Sequence, residues 1–141
     1  MRYVDDSQLP PVTDDMLKEA LPKTRPYTAV VLKAGRKFEK SAPRSPEVAQ
    51  IIWAHGKRNN ALRLAGLLPI VCPVADDSDV CGISIFDATP DDVDRIMSRD
   101  PGVQAGLFVY EIHPTRTFPG SRLPAPGEAG QPRPAPVDPE S

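Results

Sequence analysis

The hydrophobic and polar positions of this chain fall into blocks that predict six regular elements. Runs of branched and aromatic residues predict β-strands, and apolar residues at helical spacing predict α-helices. In chain order these are a strand at 27–33, a helix at 46–65, strands at 67–74 and 80–86, a helix from Pro90 and a strand at 107–112. This order is that of the split βαβ arrangement. We therefore predict an α+β, ferredoxin-like βαββαβ fold, with a four-stranded antiparallel sheet and two helices on one face.

Capping residues support both predicted helices. Ser45 and Thr89 are N-cap residues, and each is followed by a proline at the first helical position and by an acidic residue in the first turn. Gly66 is a natural C-terminal stop for the first helix. The second helix must end at Asp100-Pro101, because proline disfavours helical geometry in the residue before it.

The strands at 67–74 and 80–86 are predicted to form a hairpin around the turn Asp76-Asp77-Ser78-Asp79. A hairpin centred between Asp76 and Asp77 places Cys72 opposite Cys81. We expect two thiols there, because a directly cross-strand disulfide is strained. Pro69 and Pro73 mark the first of these strands as an edge strand or a bulged one. The acidic turn lacks the glycine and the distal glutamate of a calcium loop, so a solvated turn is the preferred interpretation.

A sheet with both helices on one face leaves its other face open. Leu107, Val109 and alternate residues of the other strands are predicted to make that face apolar. Exposed apolar patches of that size usually mark an interface. A two-fold homodimer is the simplest way to cover the face.

The two ends of the chain differ in composition from its middle. Residues 1–26 are polar and interrupted by prolines, with one short helix for which Thr13 is the N-cap. Residues 115–141 are rich in proline and cannot bury enough apolar surface to order themselves. We expect residues 115–123 to lie either on the core or on a partner subunit, and disorder beyond Ala125. The predicted domain is therefore 27–114, with an N-terminal arm and a largely disordered tail.

Charge and motif content exclude several classes of function. A net charge of -2 and a pI near 5.7 argue against nucleic-acid binding. No run is long and apolar enough to span a membrane, and the N-terminus lacks a secretory signal, so we expect a cytoplasmic protein. The chain has no dinucleotide-binding, phosphate-loop or nucleophile-elbow pattern.

The candidate chemistry begins with His55 and Asn59, which share the apolar stripe of the first long helix. Polar groups on such a stripe are unfavourable unless they are hydrogen-bonded or face a cavity. Asp100, at the corner between a helix and a strand, could partner His55. A carboxylate beside an imidazole selects its tautomer and leaves the second ring nitrogen to accept a proton.

Other residues are weaker candidates for the same pocket. Ser84 could contribute a hydroxyl group, although a serine in a strand often faces solvent; Tyr110 and Trp53 could line the pocket, although aromatic residues there are often core. His113 precedes a proline at a strand end and is expected at the surface. The basic loop at 33–44 is either a solvated loop or a lid that attracts an anionic ligand.

Three groups of residues resemble a known family. They are the strand ending in Leu32-Lys33, the series from His55 through Leu62, Gly66-Leu67-Leu68 and Cys72-Pro73, and the stretch Asp100-Pro101 followed after two residues by Gln104-Ala105-Gly106-Leu107-Phe108. The segment from Tyr27 to His113 resembles the YCII-related domain, a branch of the dimeric α+β barrel superfamily that includes muconolactone isomerase-like proteins.

The resemblance implies a homodimer with facing sheets and a pocket in each subunit that holds His55 and Asp100 as a pair. Known enzymes among such relatives act on small aromatic or enolisable molecules. We expect a cofactor-independent enzyme of the lyase or isomerase type, with His55 as base, Asp100 as its orienting partner and Asn59 as a pocket donor. Metal or haem binding through His55 is disfavoured because no second ligand clusters with it. Two alternatives stay open: a protein that binds a small molecule without converting it, and a purely structural pair.

Overall fold

A four-stranded antiparallel sheet organises the computed structural model, which describes residues 5–128. The helices and strands are α1 (Asp14–Ala20), β1 (Arg25–Ala34), α2 (Pro46–Leu64), β2 (Ile70–Pro73), β3 (Val80–Phe86), α3 (Pro90–Ser98), α4 (Pro101–Gln104) and β4 (Phe108–Thr117). The spatial order of the strands is β2-β3-β1-β4. The fold is therefore α+β, and its strand order is consistent with a ferredoxin-like arrangement.

The chain divides into two compact units. One unit spans Arg25–Thr117 and holds all four strands; the other contains, in its described part, residues 5–24 and 118–128. The first unit is slightly wider than the predicted domain of 27–114. Most of the tail for which disorder is predicted, residues 129–141, lies outside the described residues. No helix within residues 5–128 has the length and apolar character needed to cross a membrane.

The predicted N-caps are confirmed. The Ser45 hydroxyl accepts a hydrogen bond from the Val48 backbone N–H at 3.2 Å, and the Thr89 hydroxyl accepts one from Asp92 at 3.2 Å. Thr13 caps α1 in the same way. These short-range contacts satisfy N–H groups that have no partner inside the helix.

Strand β4 continues past Pro114, beyond the predicted strand end. Pro114 pairs with Thr28, and the ladder runs on until Thr117 pairs with Arg25. Proline has no backbone N–H, but β4 is an edge strand, so the missing donor can face outwards. The prediction that β2 is an edge strand is confirmed, since β2 lies at the other edge.

The predicted pairing of Cys72 with Cys81 is wrong. Cys72 lies opposite Ile83, and both cysteines are free thiols. The hairpin axis is shifted because the Asp76 carboxylate accepts hydrogen bonds from the backbone N–H and the hydroxyl of Ser78. This side-chain turn moves the centre of the connection by one residue along the chain.

The core lies on one face of the sheet. Its buried apolar residues are Val30, Leu32, Leu68, Phe86, Val93, Met97, Leu107 and Phe108. The prediction that Leu107 lies on the open face is therefore wrong, because Leu107 precedes β4 and packs in the core. Gly106, with a φ of 79°, reverses the chain just before it. Val109 is 53% exposed, as predicted for the open face.

Candidate active site

Asp100 is held at the junction of α3 and α4 by its own backbone and side chain. Its backbone N–H donates to the Met97 carbonyl at 3.0 Å, which closes the end of α3. Its Oδ2 accepts hydrogen bonds from the backbone N–H groups of Gly102 at 2.9 Å and Val103 at 3.1 Å. The residue is only 1% exposed. Asp100 is thus the N-cap of α4, and the cap orients the carboxylate.

Helix α4 was not among the predicted elements, although the sequence carries its signals. An aspartate at the N-cap, a proline at the first helical position and a glycine after the C-terminus are common features of short helices. Here they are Asp100, Pro101 and Gly106. The helix is only four residues long, too short to show an apolar period, so periodicity alone could not reveal it.

The predicted pair of His55 and Asp100 is present. His55 Nδ1 lies 2.7 Å from Asp100 Oδ1, and the His55 side chain is 13% exposed. With Asp100 ionised, the imidazole Nδ1–H donates to the carboxylate, so a neutral His55 keeps its lone pair on Nε2. The carboxylate thus accepts three hydrogen bonds, from His55, Gly102 and Val103, and through Asp100 the backbone of α4 holds the imidazole ring.

Asn59 lies one turn after His55 on α2, as its spacing predicts. The Asn59 Nδ2 is 3.3 Å from His55 Nε2. A neutral His55 accepts this hydrogen bond, which is longer than the usual range for N–H donors. A ligand proton could therefore compete with Asn59 for Nε2.

Phe108 packs against the other side of the pair. Its ring centroid is 4.9 Å from that of His55, and it meets the Phe38 ring edge-on at 5.5 Å. Gly102 makes room for Phe108, since a Cβ at position 102 would lie 2.4 Å from a Phe108 ring carbon. A larger residue at position 102 would therefore push the backbone of α4 away from the ring.

A cavity of about 770 Å³ lies beside these residues, between α2 and the sheet. Helix α2 contributes Ile52, His55, Gly56, Asn59, Asn60 and Arg63, and the strands contribute Val30, Leu32, Val71, Ser84, Phe86 and Phe108 among others. Helix α2 has no fully buried residue, because part of its inner surface faces this cavity. The volume is in the range of small-molecule sites.

The three weaker candidates, Ser84, Trp53 and Tyr110, differ in whether they line the cavity. Ser84 lies opposite Val30, points with it towards the core side, and lines the cavity. Its hydroxyl has no hydrogen-bond partner within residues 5–128. Trp53 is 70% exposed and does not line the cavity. The helical period turns Trp53 away from the face that carries His55.

Tyr110 also lies outside the cavity lining. Its hydroxyl donates to the Asp94 carboxylate at 2.6 Å, which ties β4 to α3. Burial, reinforced by the hydrogen bond to the Asp94 carboxylate, raises the pKa of Tyr110 to about 12. The pocket roles predicted for Tyr110 and Trp53 are thus corrected to a tertiary contact and a surface position.

Two features of the cavity wall were not assigned from the sequence. Phe38 and Phe108 form its aromatic wall. For Phe108 the signal was the alternation in β4, which places it in phase with the inward Tyr110 and Ile112. Phe38 belongs to a loop, where no period indicates direction.

The basic loop contributes to the same cavity. Lys40 and Arg44 are in its lining, and Arg44 is also exposed to solvent. His113 is exposed on the open face of the sheet, 3.3 Å from the Glu111 carboxylate, at the surface as expected. Within residues 5–128 no three side chains of His, Cys, Asp or Glu gather as a metal site would require.

Comparison with known proteins finds no family model that matches the chain and no match among curated proteins. The resemblance to the YCII-related domain therefore stays a prediction. Functional inference rests on the geometry of the site.

Proposed function

We propose that this protein is a cofactor-independent enzyme that uses His55 as a general acid/base on a small enolisable or aromatic molecule. The observation that carries the proposal is that His55, held by the buried Asp100 carboxylate, lines a cavity of about 770 Å³. A buried pair with a purely structural role needs no adjoining space. A positioned base does, because its substrate must reach the free ring nitrogen.

The reaction begins with proton transfer to His55 Nε2. A substrate carbon next to a carbonyl group loses its proton to Nε2, and the electron pair of the C–H bond moves into the carbonyl to form an enolate. The Asp100 carboxylate stabilises the resulting imidazolium through Nδ1–H. In an isomerisation, His55 returns the proton to another carbon. In an elimination, the enolate re-forms the carbonyl and makes a C=C bond while the leaving group departs as an anion from the neighbouring carbon, and the imidazolium gives its proton to that anion or to water.

Asn59 and Ser84 are suited to support the enolate. The Asn59 amide now donates to Nε2 at 3.3 Å, and substrate entry would release it to donate to the developing oxyanion. The Ser84 hydroxyl lines the same cavity and has no competing partner within the described residues 5–128. Both donors are neutral, so they stabilise negative charge without protonating it outright.

Solvent-deuterium exchange tests the proposal without knowledge of the natural substrate. Methyl 4-acetylbenzoate is a neutral aromatic ketone, and NMR in D₂O follows the loss of its acetyl methyl protons. We expect the wild type to accelerate this exchange and His55→Gln to lower the rate about 100-fold or more. Glutamine can still donate to Asp100, so the variant should fold.

Arg95→Gln is the matched control. Arg95 is an exposed residue of α3, paired with Asp92 and outside the cavity lining, so its exchange rate should equal that of the wild type. Equal rates for wild type and His55→Gln would contradict the proposal. If both proteins still bound the ketone, the cavity would be a binding site without acid/base chemistry.

We also infer a homodimer formed through the open face of the sheet. Val109 and Ile83 are about half-exposed there, while Lys33 and Glu111 form an ion pair at 2.7 Å on the same face. An apolar patch with a satisfied ion pair suits contact with a second copy. Sedimentation velocity should give twice the mass of the chain, and Val109→Asp should give a monomer; a monomeric wild type would contradict this inference.

A further inference from the structure

The positive charges in the cavity lining are not all paired with carboxylates. Three cations, Lys40, Arg44 and Arg63, and two carboxylates, Asp76 and Asp77, contribute to its lining. Lys40 lies 3.5 Å from the Asp76 carboxylate and also donates to the Val80 carbonyl. Its charge is therefore largely neutralised within the protein.

Arg44 differs from Lys40 in having no anionic partner. Within residues 5–128 its guanidinium makes no ion pair and no hydrogen bond, and it lies over the face of the Phe38 ring, 5.7 Å from Cζ to the centroid. A cation over an aromatic face keeps its hydrogen-bond donors free. The fork of donors at Arg44 is thus open to a ligand.

Lys40 and Arg44 both act electrostatically on the Cys81 thiol. Burial raises the pKa of the Cys81 thiol, and the charges of Lys40 and Arg44 act in the opposite direction. Cys81 lines the cavity, so both cations act on the same part of its wall. Arg63 lies elsewhere, two turns after His55 on α2, where its Nε donates to Asn60 at 3.3 Å.

A continuous aromatic wall connects Arg44 to the proton-transfer site. The rings of His55 and Phe108 are 4.9 Å apart, those of Phe108 and Phe38 are 5.5 Å apart, and Arg44 lies over Phe38. All four residues line the cavity. A ligand along this wall would meet the imidazole at one end, apolar edges in the middle and a guanidinium at the other.

We propose that the substrate of the His55 site is an organic monocarboxylate with a flat apolar body, whose carboxylate binds Arg44 while its acidic proton faces His55. This inference rests on the proposed function. A planar guanidinium matches a carboxylate through two parallel hydrogen bonds. A phosphate group fits less well, because Arg44 offers a single charge and the neighbouring cation of the loop, Lys40, is already paired with Asp76.

The test compares 4-acetylbenzoate with its methyl ester, which differ in the charge opposite the exchangeable methyl group. Deuterium exchange is measured as kcat/KM for both probes and divided by the rate with free imidazole, which corrects for their different acidity. We expect the wild type to prefer the acid about 10-fold or more, as for a hydrogen bond to a charged group. Added salt should reduce the preference.

Three variants assign the preference to a residue. Arg44→Met should bring the acid-to-ester ratio close to one, because it removes the cation that distinguishes the two probes. Arg95→Met, on the surface of α3, should keep the wild-type ratio. Loss of the preference in Arg63→Met instead of Arg44→Met would overturn the assignment, as would equal rates for acid and ester in the wild type.

Calorimetric binding of both probes separates this proposal from the proposed function. If exchange of the ester depends on His55 but the acid is not preferred, the proposed recognition of a carboxylate is refuted and the acid/base function stands. Binding of the acid that depends on Arg44, with no exchange of either probe, would refute the acid/base function and leave a carboxylate-binding site. Absence of acid binding overturns the inference.

Discussion

Asp100→Asn should lower the rate of His55-dependent deuterium exchange by a factor of about 100 to 10,000 while the protein stays folded. The asparagine Oδ1 can accept the same two backbone hydrogen bonds from Gly102 and Val103 that Asp100 Oδ2 accepts. Its Nδ2 then faces His55 Nδ1, which lies 2.7 Å from the carboxylate in the wild type. Because an amide nitrogen only donates, Nδ1 must become an acceptor, and the ring proton moves to Nε2.

The variant therefore presents a histidine in the wrong tautomer for a base. Exchange kinetics in D₂O measure the loss of rate, and the ¹⁵N chemical shifts of the imidazole report the change of tautomer. We expect a loss of about 1 to 3 kcal/mol in unfolding free energy, since neutral hydrogen bonds replace charge-assisted ones. A wild-type exchange rate in a protein whose ¹⁵N shifts report the Nε2–H tautomer would contradict the role of Asp100.

Asp100→Ala is the control that separates the effect of Asp100 on the orientation of His55 from its effect on folding. Alanine removes the N-cap of α4 and leaves the His55 Nδ1–H without its partner. Loss of a cap and of a partner to a buried donor together should lower the unfolding free energy by about 3 kcal/mol or more. The two variants should thus differ clearly in stability while both lose activity.

Phe108→Ala should lower the unfolding free energy by about 3 to 5 kcal/mol, the usual effect of truncating a buried phenylalanine. Phe108 is 5% exposed and touches three parts of the unit: the Phe38 ring, the His55 ring and α4 at Gly102. The space left by the ring would join the adjoining cavity. Urea denaturation followed by circular dichroism measures the change.

Phe118→Ala is the matched truncation. Phe118 follows β4 and is 43% exposed, so we expect a change of about 1 kcal/mol or less. If Phe108→Ala destabilised the protein no more than Phe118→Ala, the ring would not be an essential part of the core. Unchanged m-values in both variants would show that the comparison reflects stability rather than a change in the unfolded ensemble.

Local patterns predicted the elements well, but they did not fix the hairpin register or the surroundings of the site. Ser45, Thr89 and Thr13 were identified as N-caps because a cap and its partner are three residues apart. The hairpin register was missed by two residues, and the centre of the turn by one, because the Asp76–Ser78 turn competes with a simple symmetric turn. The period of α2 placed His55 and Asn59 on one face, yet it could not show that the face borders a cavity.

Apart from α4, the order of the helices and strands follows from the sequence, as do their capped ends and the three polar groups of the site, His55, Asn59 and Asp100. Hydrophobic period and capping depend on residues a few positions apart, so they can be read along the chain. The tertiary structure alone decided that Asp100 Oδ1 meets His55 Nδ1 across 45 positions of sequence. It also decided that Ser84 and Arg44 face the cavity while Tyr110 and Trp53 do not. Such contacts depend on how the helices and strands pack, because the packing of the whole core determines which distant residues become neighbours.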